Sequence, residues 1–198
     1  MVGNSREGMK QMLSAERREQ KKQQMLEKSF ELFVKQGLEN TSLNELTTYC
    51  DTYKAAFYNY FKSKDEIVIE CAKMYMTKLD EMFKNEFSAP QSTLEKALKQ
   101  GFKIVTQQKN ELRFIYQVVS SPKYGETCRK SLSSIYETYL NYSEVFSKIY
   151  KVEHLYLRPI YLLYVATIHD FCLWENEDLV TEKLEYIYKS ISELDNNK

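Results

Sequence analysis

The chain has 198 residues, 43% of them hydrophobic, enough for one good-sized domain or two small ones with a real core. Twenty-eight Lys+Arg balance 28 Asp+Glu, so the molecule as a whole is no polycation that would coat nucleic acid indiscriminately. Five Gly and three Pro are too few for the frequent turns of a β-rich fold, and no run reaches the ~18 apolar residues of a membrane span.

An all-α chain is therefore expected. Residues 1–14 read as a flexible polar tail without the apolar core of a signal peptide, which points to a cytoplasmic protein. A helix is predicted from about Ala15 to Gln36, with Leu26, Phe30, Phe33 and Val34 on one face and Gly37 as its stop. Two short helices follow, about 43–50 and 54–61. Ser42 with Glu45 forms a capping box at the first, and Asp51 sits where the turn needs a residue tolerant of positive φ. Ser63 with Glu66 is a second capping box, opening a long helix on which Ile67, Cys71, Met74, Lys78 and Met82 fall at helical spacing. Residues 88–92 read as a loop, with Ser92 and Glu95 as a third capping box. Helices marked by Leu94, Leu98, Gly101 and Val105, and by Leu112, Ile115 and Val119, come next.

After a break at 120–125, Cys128, Leu132, Ile135, Tyr139, Tyr142, Phe146 and Ile149 alternate spacings of four and three over about six helical turns. The Arg158–Pro159 pair places the following helix start near Pro159, with a kinked lead-in from Leu155. From Ile160 to Trp174 this helix is apolar nearly all round, so something must cover it on every side. One monomer's core covers one side, and a second subunit is the economical cover for the other. The last helix carries Val180, Leu184, Ile187, Ile191 and Leu194.

Three segments stand out: Phe33-Val-Lys-Gln-Gly37, Asn40-Thr-Ser-Leu-Asn-Glu-Leu46 and, most specific, Phe57-Tyr-Asn-Tyr-Phe-Lys-Ser-Lys-Asp-Glu-Ile67. Together they resemble the DNA-binding module of the TetR family of bacterial transcriptional repressors, over roughly residues 22–70. That family commonly has Gly where this chain has Asp51, Ser where it has Tyr53, and small Gly and Thr residues where it has Ala55 and Ala56. The resemblance implies an N-terminal three-helix helix-turn-helix domain, residues 1–66. It also implies a C-terminal helical bundle for ligand binding and dimerisation, residues 67–198. Residues 1–64 hold 11 Lys+Arg against 8 Asp+Glu, and the remainder 17 against 20, a mild bias that fits a DNA head on a non-DNA body.

Within the module, Lys54 and Ala55 fall at the recognition-helix start, where Lys can donate to guanine and Ala can touch a thymine methyl. Tyr53 is placed to meet a base or stack on a sugar. Tyr58 and Lys64, and Tyr60 in part, match phosphate-binding positions of the family. Thr41 and Ser42 lie at a helix start, where backbone N–H groups favour phosphate. Arg17, Arg18, Lys21 and Lys22 read as a solvated helix face, since Glu16 and Glu19 interleave, or as a basic arm for the minor groove.

The body is rich in tyrosine, and a buried phenol needs a hydrogen-bond partner that Leu, Ile and Phe do not. An effector cavity lined by Tyr116, Tyr139 and Phe171, then Tyr136 and Tyr142, is expected, with His169 and Arg113 as polar candidates. The dimer interface is assigned to Tyr161, Val165, Ile168, Ile187 and Ile191. Cys50, Cys71, Cys128 and Cys172 are far apart and match no metal spacing; they read as buried reduced thiols. No catalytic motif, metal site or cofactor motif is present in the sequence. The reading is a homodimeric, non-enzymatic regulator that binds a palindromic operator in double-stranded DNA and is released by a small-molecule effector. The alternative is a protein-interaction module with a vestigial head, or a body that responds to a protein partner.

Overall fold

The computed structural model describes residues 3–87 and 93–196, and every regular element among them is an α-helix. The chain divides into two compact units, Met1–Ala72 and Lys73–Lys198.

The first unit holds α1 (Gly3–Gln36), α2 (Leu43–Tyr49), α3 (Lys54–Phe57) and the first turns of α4 (Lys64–Phe87). The helix α1 begins at Gly3, so residues 3–14 are helical rather than a flexible tail. Met, Lys, Gln, Leu, Ala, Glu and Arg, all strong helix formers, dominate residues 9–28, and no Pro interrupts them. Its inner face buries Met25, Leu26, Leu32 and Phe33 against Leu46 of α2, Phe57, Phe61, and Ile67, Val68 and Ala72 of α4. Full burial of each such side chain contributes roughly 1.5–3 kcal/mol. Two thiols tie this core to α1: Cys50 donates to the Met25 carbonyl at 3.6 Å and Cys71 to that of Leu26 at 3.5 Å. Because Cys71 and Ala72 are fully buried here, the unit extends into α4 beyond the expected end at residue 66.

Gly37 stops α1 at φ 88°, and its amide donates to the Phe33 carbonyl at 2.9 Å. Asp51 adopts φ 51° in the turn after α2, and Lys28 holds its carboxylate at 2.6 Å. The capping box at α2 is complete, Glu45 N to Ser42 Oγ at 3.2 Å and Ser42 N to Glu45 Oε2 at 2.7 Å. At α4, Glu66 N donates to Ser63 Oγ at 3.1 Å, but the Glu66 carboxylate reaches back to the amide of Lys62 instead of Ser63. The helix α3 is shorter than the expected 54–61. After Phe57 the chain tightens into i→i+3 bonds, Asn59 to Ala56 and Tyr60 to Phe57, before Phe61 returns to the core.

The second unit contains the rest of α4, then α5 (Leu94–Gln107), α6 (Lys109–Ser120), α7 (Gly125–Tyr150), α8 (His154–Leu173) and α9 (Glu177–Asn196). Here α8 packs against α9, α7 and α6, and α9 also meets α5. On α4 the buried face continues through Tyr75, Leu79 and Phe83; Lys78 is exposed and Met74 and Met82 are half-buried. Thr93 caps α5, accepting from Lys96 N at 3.3 Å; the expected Ser92 cap and the loop at 88–92 lie outside the described residues. Gly101 of α5 lets Tyr164 come close. A Cβ there would sit 2.9 Å from the Tyr164 hydroxyl, which donates to the Leu98 carbonyl at 2.9 Å. The helix α8 starts at His154, five residues before the expected position, and carries Pro159 inside it. The carbonyl that Pro159 leaves unbonded belongs to Leu155, which is 71% exposed, so water can satisfy it.

Candidate DNA interface and ligand cavity

At the start of α3, Tyr53 is the N-cap with 71% of its surface exposed, Lys54 and Ala55 follow it to solvent, and Tyr58 is 51% exposed one turn on. These four residues share one outward face, while Phe57 beneath them is fully buried against Phe61 with ring centroids 5.4 Å apart. The face is rigid for that reason: the same short helix that exposes it is anchored by an aromatic in the core. Lys can bond guanine and Ala can meet a thymine methyl only from such a position.

The flanking residues differ. Ser42 is exposed, but its Oγ and amide are both used by the capping box, and the Glu45 carboxyl is held below its usual range by the Ser42 hydroxyl and amide. Thr41 is a correction: its side chain is fully buried and its hydroxyl donates to the Gly37 carbonyl at 2.7 Å, which removes it from the contact surface. Tyr60 is half-buried. Lys64 donates to the Leu38 carbonyl at 3.0 Å, leaving two of its three N–H donors for another partner. Of the basic residues on α1, Arg18 donates to the Asn59 carbonyl at 2.9 Å and Lys22 sits 5.8 Å from the Phe61 ring centre. They brace the segment after α3, a role that spacing along one helix gives no hint of.

The body holds a partly open cavity of about 460 Å³, bounded by α4, α6, α7 and α8 with Val105 of α5. Met76, Leu79, Asp80 and Phe83 of α4 face Leu112, Ile115 and Tyr116 of α6 across it. On α7 its wall runs from Arg129 through Leu132, Tyr136 and Tyr139 to Tyr142; Ile168 and His169 close it from α8. Four of the five expected ring residues therefore line it. Phe171 does not: it packs edge-on to Phe102 at 5.4 Å, under the Lys109 ammonium at 4.8 Å. Arg113 is also elsewhere, paired with Glu175 at 2.8 Å, an ion pair that helps hold Glu175 at φ 53° after α8. Burial raises the Tyr116 and Tyr139 phenols, so both stay neutral donors. Burial likewise lowers His169, with Asp170 opposing in part. The lining residues absent from the sequence reading, Asp80 and Arg129 above all, are polar residues that no apolar stripe could reveal. Gly125 brings Arg129 in: a Cβ there would fall 2.6 Å from the Val119 carbonyl oxygen, to which the Arg129 guanidinium donates. No group of His, Cys, Asp and Glu among the described residues is arranged to hold a metal ion, and no described helix is long and apolar enough to cross a membrane.

Residues 25–71 match the sequence profile of the bacterial regulatory proteins of the tetR family. The helix-turn-helix is a TetR module. The uncharacterized HTH-type transcriptional regulator YerO of Bacillus subtilis (strain 168) is 33% identical over 57 residues, 29% of this chain and 20% of that protein. The match thus spans about a fifth of that relative's length. Similarity of fold extends further. A TerR/AcrR-family transcriptional regulator from Aquifex aeolicus VF5 superposes with a TM-score of 0.61 at 20% identity, covering 87% of this chain and 98% of that one. A putative TetR-family regulator from Mesorhizobium loti MAFF303099 gives 0.70 at 14%, covering 90% and 96%. The regulator FadR from Bacillus subtilis, in complex with stearoyl-CoA, gives 0.64 at 17%, covering 86% and 97%. The C-terminal bundle is thus of the TetR fold as well.

The outer surface of this TetR-fold bundle revises the interface residues. Tyr161, Val165, Ile168, Ile187 and Ile191 are all within the single chain's core, between 0 and 6% exposed. The helix α8 turns Leu155, Pro159, Leu162, Ala166 and Leu173 outward, spaced four, three, four and seven apart on one face, and Tyr156 is exposed beside them. Leu179 and Tyr186 of α9 and Trp174 beyond α8 are exposed too. All four cysteines are buried and free. Burial pushes each thiol up, that of Cys172 to about 11.

Proposed function

We propose that this chain is a transcriptional repressor that binds a palindromic operator in double-stranded DNA as a homodimer and is released by a small molecule in the body cavity. The observation that carries this reading is the exposed quartet Tyr53, Lys54, Ala55 and Tyr58 on a helix whose inner side is core, within a TetR module. An exposed tyrosine-rich face on a short helix has no packing reason to exist, and its chemistry suits base edges and phosphates. Two copies related by a two-fold axis would read half-sites one helical turn apart. We assign the partner contact to the outward strip of α8 centred on Leu162, together with Tyr186 of α9. The fold neighbour carrying stearoyl-CoA supports the cavity as an effector site. Release requires only that the ligand bind the DNA-free state more tightly, by the same factor that DNA weakens the ligand.

The test is selection of duplexes from a random pool by the full-length protein, followed by fluorescence anisotropy in moderate salt. Enrichment of a palindrome, with Lys54→Ala relaxing one position in each half-site, is the expected result. A pool that stays unenriched would sink the reading and favour a protein-interaction module.

A further inference from the structure

The helix α1 runs on past the part of it that packs. Residues 12–20 are exposed at every position, and the backbone stays helical back to Gly3. Packing gives such a stretch no reason to be helical. Helical winding also sorts charges that the linear sequence interleaves. Between residues 12 and 30, Arg17, Lys21 and Lys28, spaced four and seven, form one stripe. Glu16, Glu19 and Glu27 lie about 100–180° round the helix from the centre of that stripe. Glu31, one turn beyond Lys28, is bonded to the Tyr49 hydroxyl. The stripe begins at the reading helix: Lys28 holds Asp51 at 2.6 Å, two residues before Tyr53. Arg18, beside the stripe, donates to the Asn59 carbonyl at 2.9 Å, one residue after Tyr58. The helix α1 thus passes α3 from its start to its end, on the side where Tyr53 and Tyr58 stand exposed. Arg17 and Lys21 have no hydrogen bond or ion pair among the described residues.

Resting on the reading of the head as an operator-binding module, we infer that Arg17 and Lys21 hold the DNA phosphate backbone beside the half-site that α3 reads, adding affinity without sequence preference. The helical state decides between groove and backbone. A minor groove about 6 Å wide does not admit a helix about 10–12 Å across. Guanidinium and ammonium groups on long stems reach phosphates from a helix lying across the strand. Arg17 stands about 16 Å from Lys28 at about 1.5 Å per residue, the length of about five base pairs. The contact therefore falls beyond the few bases that the four-residue α3 touches. DNA is the polyanion that this stripe fits, because the same side of the module carries the exposed Tyr53 and Tyr58.

The test uses the full-length protein with its selected operator and a scrambled duplex of the same length, by anisotropy over a range of salt concentrations. Arg17→Gln with Lys21→Gln removes two charges and keeps good helix formers. The log–log salt slope should fall by about two units per half-site. Affinity for operator and scrambled duplex should fall by one common factor, about tenfold or more near 0.1 M salt. The selected palindrome and the melting temperature should stay as in the wild type. Met12→Glu with Gln20→Glu, both exposed and off the stripe, takes the same net charge from the helix and should move the slope by less than about half a unit per half-site. An unchanged slope in the first variant, an equal loss in the second, an altered palindrome or a lowered melting temperature of the first variant would each overturn the inference. A wild-type protein that enriches no duplex would overturn the operator reading and this contact with it. An operator bound with one slope by wild type and first variant would remove this contact alone.

Discussion

Replacing Leu162 by Glu should convert the proposed dimer into a well-folded monomer, whereas the same change one turn away at Val165 should strongly destabilise the body. Leu162 is 41% exposed and Val165 6%, although both lie on the same apolar stretch of α8. In the single chain a carboxylate at 162 remains in water and changes stability by no more than about 0.5 kcal/mol. In the proposed dimer it is buried twice, once per protomer. At about 2–5 kcal/mol for each unpaired buried charge, even the low end weakens association roughly a thousandfold. At 165 the carboxylate enters the core of the monomer itself, costing about 3–5 kcal/mol of a total that is only about 5–15 for a typical domain. Sedimentation velocity over a nanomolar to micromolar range, with circular dichroism melts of the same samples, distinguishes the two. A Leu162→Glu protein with the wild-type dissociation constant would refute the assignment of the α8 strip, and a Val165→Glu protein that melts normally would refute the burial argument.

In the head, Tyr58→Phe should weaken operator binding by about 1 kcal/mol without changing the melting temperature, as read by anisotropy and calorimetry. Lys64→Ala should flatten the log–log salt dependence by about one unit and also lower the melting temperature, since the Leu38 carbonyl loses its donor. Thr41→Val should cost about 1 kcal/mol in urea unfolding through the lost bond to Gly37 and leave the salt slope untouched. Gly125→Ala should destabilise the body by about 1–3 kcal/mol in the same assay, because its Cβ meets the Val119 carbonyl at 2.6 Å, which is backbone and yields little. His169 has its pKa lowered from 6.5 by burial, so the unfolded chain binds the proton first; stability should fall as pH drops below about 6.5 and level off once the folded form also protonates. His169→Gln should flatten that part of the pH profile, and an unchanged profile would remove the buried imidazole as its source.

Local chemistry in this chain was legible and facing was not. Gly37, Asp51 and the Ser42–Glu45 box each have one backbone geometry that suits them, and each adopts it. The end of α3 at Phe57 is not legible in the sequence, because tertiary anchoring of Phe57 and Phe61 overrides a run that would otherwise continue as helix. Which side of α8 turns inward is not legible, because a helix apolar on every side has no phase in its sequence; only its neighbours α6, α7 and α9 define which residues turn in. Phe171 illustrates the same limit, since aromatic identity suits a cavity wall and a packed core equally. Tyr116, Tyr139 and Tyr142 were recoverable because a phenol, unlike Phe, asks where its hydroxyl goes.

The four buried thiols make the protein its own stopwatch. Cys50 and Cys71 are at most 1% exposed in the first unit, and Cys128 and Cys172 are fully buried in the second. Each is shielded from alkylating reagents and slow to ionise, so labelling waits for local or global opening. Mass spectrometry of the four labelled peptides over time would therefore clock the opening of each unit separately, with no probe added to the chain. If an effector rigidifies only the body, Cys128 and Cys172 alone would slow down.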